Sequence, residues 1–345
     1  MQGDSGEAGA PLTLIEGAKM VGITILWACV AVVGVPLVLC GYLFLVERIL
    51  KSIGAHARAR LRPWLWLLPA FVLLCVFLIY PVVNTAVLSF KNAASTKWAG
   101  LTNYLYIFTD SSMLGVLKNN LLWLVVFTVG TVGLGLLIAA LSDRVRYEKV
   151  IKASIFIPAA ISFVAAGVIW KLMYQYQPPG VPQTGTVDAI FTALFPRFQP
   201  QAWLVNESEN NWALIVVGIW MWTGFAMVIL SAGLKGIPES LLEAARIDGA
   251  GELQIFRKIT LPLLMPTITV VTTTLVINVL KIFDVIYVMT NGNLGTDVIA
   301  NKMYKEMFNY QDFGRASAIA TVLLLAIIPV MVINIRQFGR GGGAR

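Results

Sequence analysis

Residues 243–251 read Glu243-Ala-Ala-Arg-Ile-Asp248-Gly249-Ala-Gly251 and are followed by Ile259-Thr-Leu-Pro262. This polar stretch is wedged between two segments, 212–234 and 263–290, each apolar enough to cross a bilayer. A hydrocarbon core about 30 Å thick takes about 20 mostly apolar helical residues. Working outward from the polar stretch, five more segments meet that test: 21–46, 64–90, 121–141, 153–174 and 316–335. Backbone amides in lipid must be satisfied within their own segment, so the expected fold is all-α, a polytopic bundle of seven transmembrane helices. Pro36, Pro69, Pro158 and Pro266 fall inside these spans and predict kinks.

Composition agrees. Of 345 residues, 58% are hydrophobic and 13% charged, and the mean hydropathy is +0.77; soluble domains carry roughly 45–50% apolar residues. The single His56 stands in a basic stretch, and Cys29, Cys40 and Cys75 lie in apolar runs where a thiol behaves as a small hydrophobe. No metal cluster or disulfide framework is expected. If the Glu243 stretch faces the cytoplasm, sixteen Lys and Arg residues, among them Arg48, Lys51, Arg58, Arg144, Lys149, Lys235 and Arg257, fall on the inner side and nine on the outer. That bias predicts an outer N-terminus and a cytoplasmic C-terminus. It also accounts for the net charge of +8 through topology and anionic lipid, leaving nothing for nucleic acid to explain. The first span lacks a cleavable-signal pattern and is expected to stay as an anchor.

Three regions are expected, with boundaries at 62/63 and 338/339. Residues 1–62 hold an extra helix and a basic linker, 63–338 a six-span core, and 339–345 a Gly-rich disordered tail. The longest non-membrane segment, 175–211, carries five prolines and room for one short helix at 189–195, too little for a catalytic domain. Gly100-Leu-Thr-Asn-Tyr104 reads as a surface turn leading into an amphipathic helix.

Within the polar stretch, Pro238 sets a helix start and Glu239 suits the positive end of the helix dipole. Gly249 falls where a left-handed C-cap is expected. A second helical piece over 252–258 should precede the next span, which starts at Leu261-Pro262. Ala244 and Ala245 keep one side thin enough to enter a groove, and Glu243, Arg246 and Asp248 offer charged contacts around it. Glu-Ala-Ala alone is a common helix tripeptide; the discriminating signal is nine positions at fixed spacing: Glu243, Ala244, Ala245, Asp248, Gly249, Ala250, Gly251, Leu261 and Pro262.

That string, with Gly233-Leu-Lys-Gly-Ile-Pro238 before it, resembles the EAA loop of inner-membrane permease subunits of bacterial ABC importers. Gly100-Leu-Thr-Asn-Tyr104, Leu117-Lys-Asn-Asn120, Phe283-Asp284 and Tyr287-Val-Met-Thr290 resemble the maltose-permease-like carbohydrate branch. Met303-Tyr-Lys-Glu-Met-Phe308 and Asp312-Phe-Gly-Arg-Ala-Ser317 are similar to its alpha-glucoside subgroup. The resemblance covers about residues 63–338 and implies the type I importer permease fold in a bacterial inner membrane. It further implies a second related permease, two ATPase subunits that hold the ATP-Mg, an extracytoplasmic sugar-binding protein, and an alpha-glucoside cargo of the maltose or trehalose type. Glu243, Ala244, Ala245, Arg246, Asp248 and Gly249 would then couple ATPase closure to alternating access. No Gly-x-x-x-x-Gly-Lys-Ser/Thr phosphate loop occurs in the sequence, so this chain is read as a transport subunit, with no catalytic or metal site of its own. One departure stands out: many sugar permeases of the family carry Gly-Gly-Pro after the Thr matching Thr290, whereas this chain has Asn291-Gly-Asn-Leu.

Candidates for the sugar path are Trp220, Trp222, Asn278, Lys281, Asp284 and Tyr287. Lys281 and Asp284, three apart on the sixth span, are expected to pair on one helix face, either lining a polar path or as a structural pair with Lys281 snorkelling outward. Trp220 and Trp222 point to different faces, so at most one meets the cavity. Trp64, Trp66, Trp98, Trp123, Trp170 and Trp212, near span ends, read as interfacial anchors. In the maltose-permease pattern asparagines on this helix hold sugar; ungapped counting places Val279 and Ile282 there, so those contacts do not transfer. An ion-coupled secondary sugar carrier is the alternative, but it requires paired carboxylates or histidines deep in the spans, and a membrane enzyme requires a catalytic constellation. Neither is found in the sequence.

Overall fold

A computed structural model describes residues 10–143 and 145–341. Arg144 of the inner basic set and residues 342–345 of the expected tail lie outside the described residues. The chain divides into two compact units, Met1–Val83 and Asn84–Arg345. The expected boundary at 62/63 falls inside a continuous helix.

In the first unit, α1 (Ala10–Lys51) turns at Gly54 into α2 (Ala55–Leu88), which runs on past the unit's end. Arg58 closes the turn: its Nε donates to Leu50 O (2.8 Å) and its Nη2 to Lys51 O and Ile53 O. These are carbonyls that a helix end otherwise leaves without intrahelical partners. Glu47 accepts from Arg62 Nε (2.8 Å) and Trp66 Nε1 (3.0 Å), tying the two helices together one turn further along. A π-turn at Cys75–Ile79 interrupts α2.

The second unit contains, in order, α3 (Thr102–Thr109), α4 (Ser111–Ser142), α5 (Glu148–Ala160), α6 (Phe163–Met173), α7 (Thr186–Leu194) and α8 (Asn210–Lys235). Then come α9 (Glu239–Ile247), α10 (Glu252–Leu280), α11 (Asp284–Met289), α12 (Ile299–Tyr304) and α13 (Phe313–Gly341). Among the described residues there is no strand; the one extended pairing is an isolated bridge, Lys91 to Trp98. Among the described residues six helices are long and apolar enough to cross a membrane, and α5 with α6 makes a seventh span if that bent pair is counted as one.

Two expected spans are broken. The fourth, 153–174, bends by 101° between α5 and α6. Pro158 withdraws a backbone donor in a tight 3₁₀ turn, and Ser162 caps the new helix by accepting from Ala165 N at 3.1 Å. The sixth, 263–290, stops at Leu280 and resumes at Asp284. Lys281 and Asp284 therefore do not share a helix, and no ion pair joins them among the described residues.

Helix α4 against α8 forms the centre of the bundle. Lipid tails are as apolar as the side chains, so such a pair is held by close van der Waals contact, which small residues permit. A Cβ at Gly135 would lie 2.8 Å from Ala226 Cβ, and one at Gly218 would lie 2.9 Å from the Trp123 ring. Trp123 is fully buried there with Phe127, not an interfacial anchor, because its ring fills the space that Gly218 leaves. Trp170 likewise packs inward, 5.2 Å from Tyr174.

In the 175–211 segment the short helix is α7, three residues earlier at its start than expected. Its buried Asp188 accepts from Trp203 Nε1 at 2.8 Å and Gln201 N at 3.3 Å, folding the proline-rich return back on the helix.

Candidate functional site

The polar stretch forms an elbow. Pro238, in extended conformation (ψ 126°), sets the start of α9. Gly249 has φ +82°, and the cap is a Schellman motif: Gly249 N donates to Arg246 O at 3.0 Å and Ala250 N to Ala245 O at 3.0 Å. Arg246 Nε then spans the reversal to Glu252 Oε1 at 2.7 Å. That guanidinium braces the turn while remaining exposed, and its bond to Glu252 raises its pKa further above the ordinary value.

Glu243, Ala244, Asp248 and Gly249 are exposed, whereas Ala245 is turned inward and only 8% accessible. The thin side expected of both alanines is thus shared between an outer and an inner face. Leu241, Ile247 (86% exposed) and Leu253 stand bare around the elbow; sequence reasoning passed over them in favour of the charges. The second limb is also not a separate helix. Residues 252–280 run as one rod, with a π-turn at Phe256–Thr260 just before Leu261-Pro262, where the next span was expected to begin.

Behind the elbow lies a cavity of ≈ 670 Å³ whose lining includes Asp143, Lys235, Glu239, Arg246 and Glu252. An ionic cluster braces its wall. Lys152 bonds Asp143, Ser231 and Glu148; Ser231 Oγ donates to Asp143 Oδ1 at 2.8 Å; Lys235 pairs with Glu148. The ends of α4 and α8 and the start of α5 are joined by this cluster, a long-range pairing that no local pattern signals.

A second cavity, ≈ 280 Å³, sits at the break between α10 and α11. It brings together four expected residues, Trp222, Asn278, Lys281 and Asp284, with Phe127, Phe163, Val279, Ile282, Phe283 and Val285. Trp222 lies over Phe163 at 6.2 Å between centroids and 29° between planes. Trp220 is not there: it packs edge-on against Trp170 at 5.5 Å, the outcome expected of neighbours on different helix faces. Tyr287 is outside the lining but stacks on Phe283 at 5.0 Å. The break itself makes this cavity polar, because Lys281 and Asp284 sit at the two helix ends rather than in a continuous apolar rod.

At the opposite end of the bundle from the elbow, the Asn291-Gly-Asn-Leu departure is a pinned loop. Asn291, Gly292, Leu294 and Gly295 all have positive φ, between 53° and 72°, a strained state for Leu. Asn119 Nδ2 donates to Gly295 O (2.6 Å) and Asp297 O (2.9 Å), Asn210 Nδ2 to Leu294 O (2.7 Å), and Asn211 Nδ2 to Gly295 O (3.2 Å). Asn120 Oδ1 accepts from Ile299 N at 2.7 Å. The Leu117-Lys-Asn-Asn120 string is thereby given a physical role.

A bundle of apolar helices with an exposed polar elbow and a small polar cavity defines a membrane permease rather than an enzyme. Residues 131–337 match the model of the family described as binding-protein-dependent transport system inner membrane component, and this chain belongs to that family. It is similar to the osmoprotective compounds uptake permease protein GgtC of Synechocystis sp., at 55% identity over 79% of this chain and 98% of that protein. It is also similar to the alpha-glucoside transport system permease protein AglF of Rhizobium meliloti, at 46% identity over 82% and 84%. In fold it matches a bacterial alginate ABC transporter solved in complex with an alginate pentasaccharide-bound periplasmic protein, with TM-score 0.67 and 21% identity over 79% of this chain and 93% of that chain.

Proposed function

We propose that this chain is a permease subunit of an ATP-driven sugar importer whose cargo is an alpha-glucoside, and that it works beside a second permease, two ATPase subunits and an extracytoplasmic sugar-binding protein. The roles named for the two relatives, uptake of osmoprotective compounds and of alpha-glucosides, support a small hydroxyl-rich cargo. The elbow faces the cytoplasm and seats in an ATPase subunit through Glu243, Ala244 and the bare Ile247. ATP-Mg is bound and hydrolysed by those partners.

The observation that carries the reading is continuity: the limb leaving the elbow at Glu252 is the same helix that brings Asn278 to the cavity. Closure of the ATPase pair, acting on α9, moves α10 with it and opens the cavity to alternate sides. In the cavity Trp222 and Phe163 offer ring faces to a sugar's C–H surface, while Asn278, Lys281 and Asp284 hydrogen-bond its hydroxyls.

Purification in mild detergent, identification of co-purifying subunits, and reconstitution with radiolabelled maltose, trehalose and sucrose test this. At least one of these sugars should stimulate ATP hydrolysis and accumulate in the vesicles. Accumulation by this subunit alone, driven by an ion gradient without nucleotide, would overturn it.

A further inference from the structure

Four aromatic rings lead away from the cavity break. Phe283 lines the cavity and stacks on Tyr287 with centroids 5.0 Å apart and planes 23° apart. Tyr304, from α12, meets Phe283 at 5.3 Å and Tyr287 edge-on at 5.3 Å, and Phe308 in the π-turn after α12 continues from Tyr304 at 4.8 Å. Three separate segments, the break, α11 and the end of α12, thus contribute to one connected series. Exposure grows along it: Phe283 and Tyr304 are half-buried, Tyr287 is 40% exposed and Phe308 63%.

The series is open at one end and at the other joins the cavity that holds Asn278, Lys281 and Asp284. Its phenols also supply hydroxyls beside apolar faces, the combination that suits a ligand with a C–H surface and an equatorial rim of OH groups. The Tyr287 hydroxyl raises the pKa of Tyr304 further above its ordinary value, which ties the two phenols together beside the rings. Lys281 and Asp284 stand at the cavity end, and the charged groups beside the outer rings are paired with one another, Lys305 with Asp297 and Lys302 with Glu306, so a neutral ligand suits these rings.

We propose that Phe283, Tyr287, Tyr304 and Phe308 form a stacking track that receives a neutral sugar and passes it to the cavity. The assignment rests on the sugar-importer reading and adds to it a subsite outside the cavity.

The test uses the complete transporter in vesicles, comparing initial uptake of radiolabelled trehalose and maltose by wild type, Tyr304→Ala, Phe308→Ala and Phe308→Tyr. Each alanine variant is expected to lower uptake at subsaturating sugar by about three- to tenfold, the effect of one aromatic contact, while Phe308→Tyr keeps most of it. A readout that simple packing would not move is emission from Phe308→Trp measured against Phe308→Tyr in the purified complex. It should change saturably with trehalose or maltose and not with glycerol. Wild-type rates in both alanine variants, or a Phe308→Trp signal indifferent to sugar, overturn the track. Loss of the second permease from Phe308→Ala preparations would show the rings to be a subunit contact, and overturns it too. A wild-type complex that moves no sugar with ATP brings down the importer reading itself, and the track with it.

Discussion

The elbow at Gly249 and the loop at Asn291–Gly295 are both chain reversals built on positive-φ residues, and they are stabilised in opposite ways. At the elbow one glycine carries the reversal, a Cβ on it would meet nothing within 4 Å, and the side-chain brace across it is the exposed Arg246–Glu252 pair. In the 291–295 loop four residues are left-handed, and asparagines from α4 and α8 hold two of its carbonyls, Leu294 O and Gly295 O, and that of Asp297 just beyond it. A Cβ at Gly292 would lie 2.4 Å from Asp297 Oδ1 and 2.5 Å from Asn301 Nδ2. One turn supports itself; the other leaves its outer surface for something else to grip.

Breaking the contrast starts with Gly249→Pro. Proline cannot reach φ +82° and has no N–H for Arg246 O, so uptake and co-purification of ATPase subunits should both be lost while membrane insertion, read by fractionation, stays normal. Gly292→Ala should destabilise the folded chain by about 2 kcal/mol or more, since strain and overlap act together; thermal unfolding in detergent checks it. Asn119→Ala removes the bonds to Gly295 O of the pinned loop and to Asp297 O just beyond it, and should cost about 1–2 kcal/mol in the same assay. Gly249→Ala, with the same sign of φ but open space, should cost only about 1 kcal/mol. Arg246→Gln should leave the melting temperature unchanged at physiological salt, an exposed pair being screened. Equal effects from the two glycine-to-alanine changes would erase the distinction.

Much of this was legible along the chain because each feature is local. Apolar runs set the spans, Pro238 and Gly249 mark the elbow's start and its cap, and Pro158 marks the bend between α5 and α6. The break at 281–283 has no proline, and its one local sign, Lys281 and Asp284 three apart, fits a pair on a continuous helix equally well, so an unbroken span was the natural reading; only the packing of α11 elsewhere in the bundle reveals it. Whether Trp220 or Trp222 faces the cavity depends on the position of α6, beyond the reach of periodicity. Asn119, Asn210 and Asn211 act together on residues 84 to 178 positions away, and Arg246 pairs with Glu252 only because the Gly249 reversal brings the two together.

The run from Glu252 to Leu280, continuous through its π-turn, has a mechanical consequence. At 1.5 Å per residue, Asn278 rides about 40 Å from the elbow end of that rod. Tilting the rod by about 5° at Glu252 would sweep the amide sideways by about 3 Å, roughly the length of a hydrogen bond. A long lever of this kind turns a small push at its foot into the making or breaking of a single polar contact at its tip.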